Sequence, residues 1–68
     1  MHTEYPKYVD EKFVSDLTGM SLSTIRNHRF ERRGMPFIKV NHGRSVRYLL
    51  SDVIAFMEAG RIQTGENA

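Results

Sequence analysis

The sequence predicts a single small α+β domain of three helices and a two-stranded β-hairpin. Three observations predict it: two capped helices meet near Gly19, short β-prone segments flank a polar turn at residues 41–45, and a capped apolar segment follows. With 68 residues, 40% of them hydrophobic, the chain suits one small core. The domain is predicted over residues 7–61, between polar tails at 1–6 and 62–68.

The first helix is predicted from Asp10 to Thr18. Asp10 can cap its first turn, while Val9 and Val14 occupy the two positions of a hydrophobic staple. Gly19 is expected to end the helix, because glycine adopts the left-handed conformation that helix ends favour. The apolar side is expected to comprise Phe13, Val14 and Leu17.

The second helix is predicted over residues 22–31, with Ser21 as its N-cap. The short turn between the helices, preceded by the small Ser15, predicts a helix-turn-helix corner. Only Leu22 and Ile25 are expected to face the core, so the rest of the helix is polar. A binding surface and an ordinary solvated helix both fit this pattern.

Gly34 and Pro36 are expected to stop the second helix. A hairpin is predicted from strands at 37–40 and 46–48 around the turn at 41–45. Lys39 and Arg47 are assigned outward by strand alternation. The residues assigned inward are Ile38, Val40, Val46 and Tyr48.

The third helix is predicted from Asp52 to about Ala59, with Ser51 as its cap and Gly60 as its stop. A broad apolar stripe marks this helix as structural. The residues expected to face the core are Val53, Ile54, Phe56 and Met57.

Positive charge is concentrated in the middle of the chain. Residues 21–48 carry a net charge of +6, whereas residues 1–20 and 49–68 carry −2 each. Such a segment attracts phosphates, and an ordinary solvated face is the alternative. On the second helix, Asn and Arg have the forked side chains that suit adenine and guanine edges, and Ser and Thr suit phosphate oxygens.

Several function classes are disfavoured. The chain has no Cys, which excludes disulfides, thiolate zinc sites and thiol nucleophiles, and favours a reducing cytoplasm. No segment approaches the roughly 20 apolar residues of a membrane span, and no leader is recognised. Without a phosphate-cradling glycine loop or a paired-carboxylate pocket, no enzyme activity or cofactor is expected. The histidines His2, His28 and His42 lack metal-ligand spacing, so no metal site is expected.

Five stretches form a pattern that spans most of the predicted domain: 8–9, 17–21, 23–26, 34–37 and 43–48, the last of which leads to 51–52. With these motifs the chain resembles the MerR-like helix-turn-helix proteins of phages and mobile elements, the AlpA-like regulators and small excisionases. The resemblance implies a winged helix-turn-helix fold whose second helix enters the DNA major groove, while the hairpin, or wing, follows the backbone or minor groove.

The resemblance implies a sequence-specific double-stranded DNA-binding protein, either a transcriptional regulator or an excisionase of a prophage or mobile element. Its implied partners are duplex DNA, an integrase (recombinase) or RNA polymerase, and further copies of itself on DNA. The helix residues implied in DNA contact are Ser21, Ser23, Thr24, Arg26, Asn27 and Arg29. The wing residues are Lys39, Asn41, His42, Arg44 and Arg47.

The chain departs from the pattern at two places. His28 stands where relatives often have a bulky aromatic residue, so a core role and a DNA-contact role are both open; of the two we favour a partly buried, hydrogen-bonded ring. The wing turn at 40–44 is longer than is usual in relatives. The effector domains of larger relatives have no counterpart here, so no ligand or metal sensing is implied. The alternative function is a protein-interaction module that docks on an integrase, polymerase or packaging enzyme.

Overall fold

The structure, a computed structural model, describes residues 6–65 and has a small α+β fold. Residues 1–5 and 66–68 of the predicted tails lie outside the described range. Within that range, no helix is long and apolar enough to cross a membrane. The elements in chain order are β1 (Tyr8–Val9), α1 (Glu11–Thr18), α2 (Leu22–Phe30), β2 (Ile38–Val40), β3 (Ser45–Leu49) and α3 (Leu50–Ala59).

The sheet has three antiparallel strands in the order β1-β3-β2, so the prediction of two strands was wrong. The additional strand β1 pairs Val9 with Tyr48. It has only two residues, too few to show the alternation by which a strand is recognised in a sequence. Ser45, predicted in the turn, is the first residue of β3 and pairs with Val40.

The predicted caps of α1 and α2 are confirmed. The Asp10 carboxylate accepts a hydrogen bond from the Phe13 amide at 2.9 Å, and the Ser21 hydroxyl accepts one from the Thr24 amide at 3.1 Å. Gly19 follows α1 in the left-handed conformation, with φ of 77°. Each cap depends only on residues within one helical turn, which is why local sequence predicts it.

Ser15 does more than provide space at the corner. Its hydroxyl donates a 2.7 Å hydrogen bond to the Met20 carbonyl, which joins α1 to the residues that precede α2. The Gly19 amide donates to the Ser15 carbonyl at 2.8 Å. These two bonds fix the turn between the helices.

The predicted cap of α3 was wrong. The helix begins at Leu50, its N-cap is Leu49, and no side chain caps it. The Leu50 amide instead donates a 2.8 Å hydrogen bond to the Lys7 carbonyl. Ser51 therefore lies within the first turn of α3, and the chain beside β1 satisfies the first amide of the helix.

The core lies between the sheet and the helices. Its buried residues are Val9, Val14, Ile25, Met35, Tyr48 and Val53. Met20, Phe37, Val46 and Phe56 pack against it. Both staple residues of α1 are therefore in the core.

Several apolar residues expected inside are partly exposed. Ile54 and Met57 remain 46% and 41% exposed, because only the side of α3 that carries Val53 is buried. Ile38 and Val40 remain 43% and 37% exposed on the edge strand β2. The inward assignments of these four residues were wrong. On α1, Phe13 and Leu17 are also more than 40% exposed.

Candidate functional site

An ion-pair network links α1, α2 and the sheet. The Glu11 carboxylate accepts hydrogen bonds from the Arg26 guanidinium, with the closest atoms 2.5 Å apart, and from Arg29 Nη1 at 3.2 Å. Arg29 Nη1 also donates to the hydroxyl of buried Tyr48 at 3.0 Å. The Arg29 guanidinium lies 6.0 Å from the centre of the Phe37 ring, within cation–π range.

The network lowers the pKa of Glu11 and raises the pKa of Arg29. The hydrogen bond from Arg26 lowers the pKa of Glu11, with further lowering by Arg29, and together they outweigh the opposing effect of burial. Partial burial disfavours the charge on Arg29, but hydrogen bonds to Tyr48 and Glu11 outweigh it and raise the Arg29 pKa. The side chain of Arg29 is 19% exposed and that of Arg26 is 56% exposed. Arg29 is thus held inside the network, while Arg26 stays accessible to solvent.

The chain turns sharply at the end of α2, and this turn carries Arg32 and Arg33. The Arg32 amide donates to the Arg29 carbonyl at 3.0 Å, and the Arg33 amide donates to the His28 carbonyl at 2.9 Å. Arg32 has φ of 57°, so a non-glycine residue occupies the left-handed position of this helix end. The turn directs the chain from α2 towards the hairpin.

Three successive residues in the turn of the β2–β3 hairpin have the left-handed conformation. Asn41, His42 and Gly43 have φ of 53°, 57° and 83°. The Gly43 amide donates to the Val40 carbonyl at 3.0 Å, and the Arg44 amide donates to the Asn41 carbonyl at 3.1 Å. Asparagine and glycine tolerate this conformation better than other residues do, which explains their presence here.

An open groove of about 1010 Å³ lies between the C-terminal half of α2, the following loop and the hairpin; we call it the basic groove. Apolar residues, including Phe30, Met35 and Phe37, form part of its lining. Over the described residues 6–65, no Asp or Glu lines it. Its cationic residues are Arg26, Arg29, Arg32, Arg33, Lys39 and Arg44. A concave surface lined by one sign of charge concentrates counter-ions of the opposite sign.

A second, shallower depression of about 450 Å³ follows the outer side of α2; we call it the helix cleft. Its lining residues are Ser23, Thr24, Arg26, Asn27 and Phe30. Arg26 and Phe30 border both depressions, so the polar side of α2 is continuous with the basic groove.

The structure brings only some of the predicted site residues together. The helix cleft and basic groove unite seven of them, whereas Arg47 lies in a third depression beside Glu11 and Lys12, with its Nη1 donating to the Val46 carbonyl at 2.8 Å. The Ser21 hydroxyl is occupied with capping. Asn41 and His42 are exposed at the hairpin tip and line neither depression. The seven united residues are Ser23, Thr24, Arg26, Asn27, Arg29, Lys39 and Arg44.

His28 is partly buried, as expected, but its Nδ1 is buried without a hydrogen-bond partner, so the expected hydrogen bond is absent at that atom. The ring packs against Gly34, where a Cβ atom would lie 2.9 Å from Nδ1. Gly34 has φ of 85° and therefore allows both the turn and the close approach. His28 thus supports the loop that borders the basic groove.

Sequence reasoning missed four residues of this site. Arg32 and Arg33 contribute to the charge of the central segment, and that charge was the available signal. Phe30 lies three residues after Asn27, which places it on the same side of the helix. Glu11 gave no signal, because its partner Arg26 is 15 residues away. In the described part of the chain, no cluster of three or more potential metal ligands is present.

Comparison of the chain with protein-family models, curated proteins and solved structures gave no match.

Proposed function

We propose that the chain is a sequence-specific double-stranded DNA-binding protein with a winged helix-turn-helix architecture. In this proposal α1 and α2 form the helix-turn-helix, α2 enters the major groove, and the β2–β3 hairpin is the wing. The observation that carries the proposal is the basic groove, in which six cationic residues lie beside the polar side of α2. The motif resemblance supports the same function.

The shape of the surface fits duplex DNA. The major groove is about 12 Å wide and admits one α-helix. With α2 in the groove, the loop and the wing would follow the adjoining phosphates. The cationic residues beyond the helix, Arg32, Arg33, Lys39 and Arg44, border the basic groove on that side. Cations so placed position a protein on DNA without reading its sequence.

The residues suited to base contact are on α2. Arg26 and Asn27 are exposed and border the helix cleft. Their forked side chains match the hydrogen-bonding edges of guanine and adenine. Ser23 and Thr24, one turn earlier, suit phosphate oxygens. A division between base contacts on α2 and phosphate contacts on the loop and wing follows from these positions.

Selection from a randomised duplex pool tests the proposal directly. We expect enrichment of a common sequence and steep weakening of binding with salt, because bound phosphates release counter-ions. If about five phosphates are neutralised, log K should fall against log salt with a slope near −4.5. No enrichment, or a flat salt response at measurable affinity, contradicts the proposal and favours the protein-docking alternative.

The biological role proposed is that of a regulator or excisionase of a prophage or mobile element. A nuclease footprint over the genomic neighbourhood of the coding sequence distinguishes the two roles. Protection at a recombination attachment sequence supports excision, and protection at a promoter supports transcriptional control.

A further inference from the structure

Phe30 is exposed at the centre of the candidate interface. Its exposed fraction is 87%, so its ring is not packed in the core. It borders the basic groove on one side and the helix cleft on the other. Among residues 6–65, Ile62 is the other large apolar residue exposed to a similar extent, at 82%, and it lines neither depression. The position of Phe30 between the two depressions, rather than its exposure alone, favours a binding role.

Helical geometry aligns Phe30 with the residues proposed to contact bases. Ser23, Asn27 and Phe30 are spaced by four and three positions, so they form a row on one side of α2. Phe30 lies about 4.5 Å further along the helix axis than Asn27. When Asn27 contacts a base edge, the Phe30 ring therefore reaches a neighbouring base pair.

The chemistry of the major groove limits what this ring can recognise. Base edges there present hydrogen-bond donors and acceptors, and thymine adds the apolar C5 methyl group. A phenyl ring cannot form a strong hydrogen bond with the polar edges, but it loses water-exposed apolar surface by covering a methyl group. The surrounding cations favour a polyanionic partner over an apolar protein surface.

We infer that Phe30 recognises the C5 methyl group of a thymine in the major groove, next to the base contacted by Asn27. This inference rests on the proposed function and adds a residue that determines specificity through apolar contact. It predicts that the preferred site contains a thymine at a fixed position for each bound copy.

Replacement of each thymine of the selected duplex by deoxyuridine tests the inference, since it removes only the methyl group. At one position per bound copy, we expect the wild-type Kd to rise about 4-fold, the value for loss of one buried methyl group. Phe30→Ala should bind the thymine duplex more weakly and should no longer distinguish thymine from uracil at that position. Ile62→Ala is the matched control and should keep the wild-type discrimination.

The possible results separate this inference from the function on which it rests. Absence of specific duplex binding by the wild type overturns both. Specific binding without discrimination between thymine and uracil, or discrimination that persists in Phe30→Ala, overturns only the role of Phe30. If Phe30→Ala instead abolishes the gain from a second bound copy while single-site discrimination persists, Phe30 contacts protein and the inference is overturned. Equal thermal unfolding of wild type and variant checks that the fold is retained.

Discussion

The carboxylate of Glu11 and the guanidinium of Arg26 form an ion pair between α1 and α2, with 2.5 Å between the closest atoms. Arg26 is also the arginine proposed to contact a base. In the free protein the carboxylate accepts hydrogen bonds from Nε and Nη2 of Arg26. A base contact through these two nitrogens requires that the ion pair be loosened or shared, which would weaken DNA binding.

Replacement Glu11→Gln should strengthen duplex binding, because it frees Arg26 and removes a negative charge near the interface. An exposed ion pair of this kind is weak, so we expect a decrease in Kd of about 2- to 5-fold at low salt. Glu58→Gln is the matched control: it removes the same charge from the Glu58–Arg61 pair, which borders neither DNA-facing depression. Equal gains in the two variants would show that net charge, rather than release of Arg26, is responsible.

The same pair makes stability depend on pH. Because hydrogen bonds from Arg26 and Arg29 lower the Glu11 pKa in the folded protein, the ionised form stabilises the fold. This contribution is present above the unfolded-state pKa, about 4.3, and is lost as pH falls through the lowered folded-state pKa. The difference in unfolding free energy between wild type and Glu11→Gln should shrink over that interval, as measured by denaturant titration. A constant difference from pH 7 to pH 2 contradicts this.

Substitutions on α2 and on the wing should affect DNA binding in different ways. Asn27→Ala should cost about 1–3 kcal/mol on the selected site and little on random duplexes, because it removes a base contact. Arg44→Ala should weaken binding to both and make the salt slope shallower by about one unit, because it removes a phosphate contact. Quantitative binding at several salt concentrations measures both effects.

That comparison needs sites with and without flanking A-tracts. An arginine inserted into a narrow minor groove senses groove width, and this would give Arg44 some sequence preference. If Asn27→Ala lost affinity equally on all sequences while Arg44→Ala alone changed site preference, the assignment of α2 as the reading helix would be wrong.

Arg29 should matter more for stability than for DNA contact. Its Nη1 donates to both Glu11 and Tyr48, and its planar guanidinium lies 6.0 Å from the centre of the Phe37 ring; lysine has no such planar group. Arg29→Lys should therefore lower the unfolding free energy by about 1–2 kcal/mol. Arg44→Lys, on the exposed turn, should change it by less than about 0.5 kcal/mol. Unchanged stability with a selective loss of DNA affinity would instead support the direct contact predicted for Arg29 from the sequence.

Two glycine substitutions isolate the contact between His28 and Gly34. Gly34→Ala and Gly43→Ala both place a side chain at positive φ, which costs about 1–2 kcal/mol. Only at Gly34 would the new Cβ also meet the His28 ring, so Gly34→Ala should destabilise the fold more. In a His28→Ala background the two costs should become similar. Equal costs in the wild-type background would mean that the ring moves aside without penalty.

The caps of α1 and α2 were predictable from local sequence, whereas the start of α3 and the contacts between distant residues were not. Asp10 and Ser21 cap helices through amides three residues away, so sequence spacing is sufficient to identify them. The pairing of Val9 with Tyr48 and that of Glu11 with Arg26 depend on how the elements meet in space. Ile54 was expected to be buried but is partly exposed, which also depends on how the elements meet. The apolar stripe of a helix does not indicate how much of that stripe a small core covers.

The basic groove is contributed by one uninterrupted segment, from Arg26 to Val46. Most of the core residues lie outside that segment, before residue 26 or after residue 46, and Met35 belongs to both groups. The chain thus consists of a framework, formed by the residues before 26 and after 46, and one binding segment between them. Segments from unrelated sequences could be transplanted between these two junctions, provided that Arg29, Met35, Phe37 and Val46 are kept, to give the same framework a different binding preference.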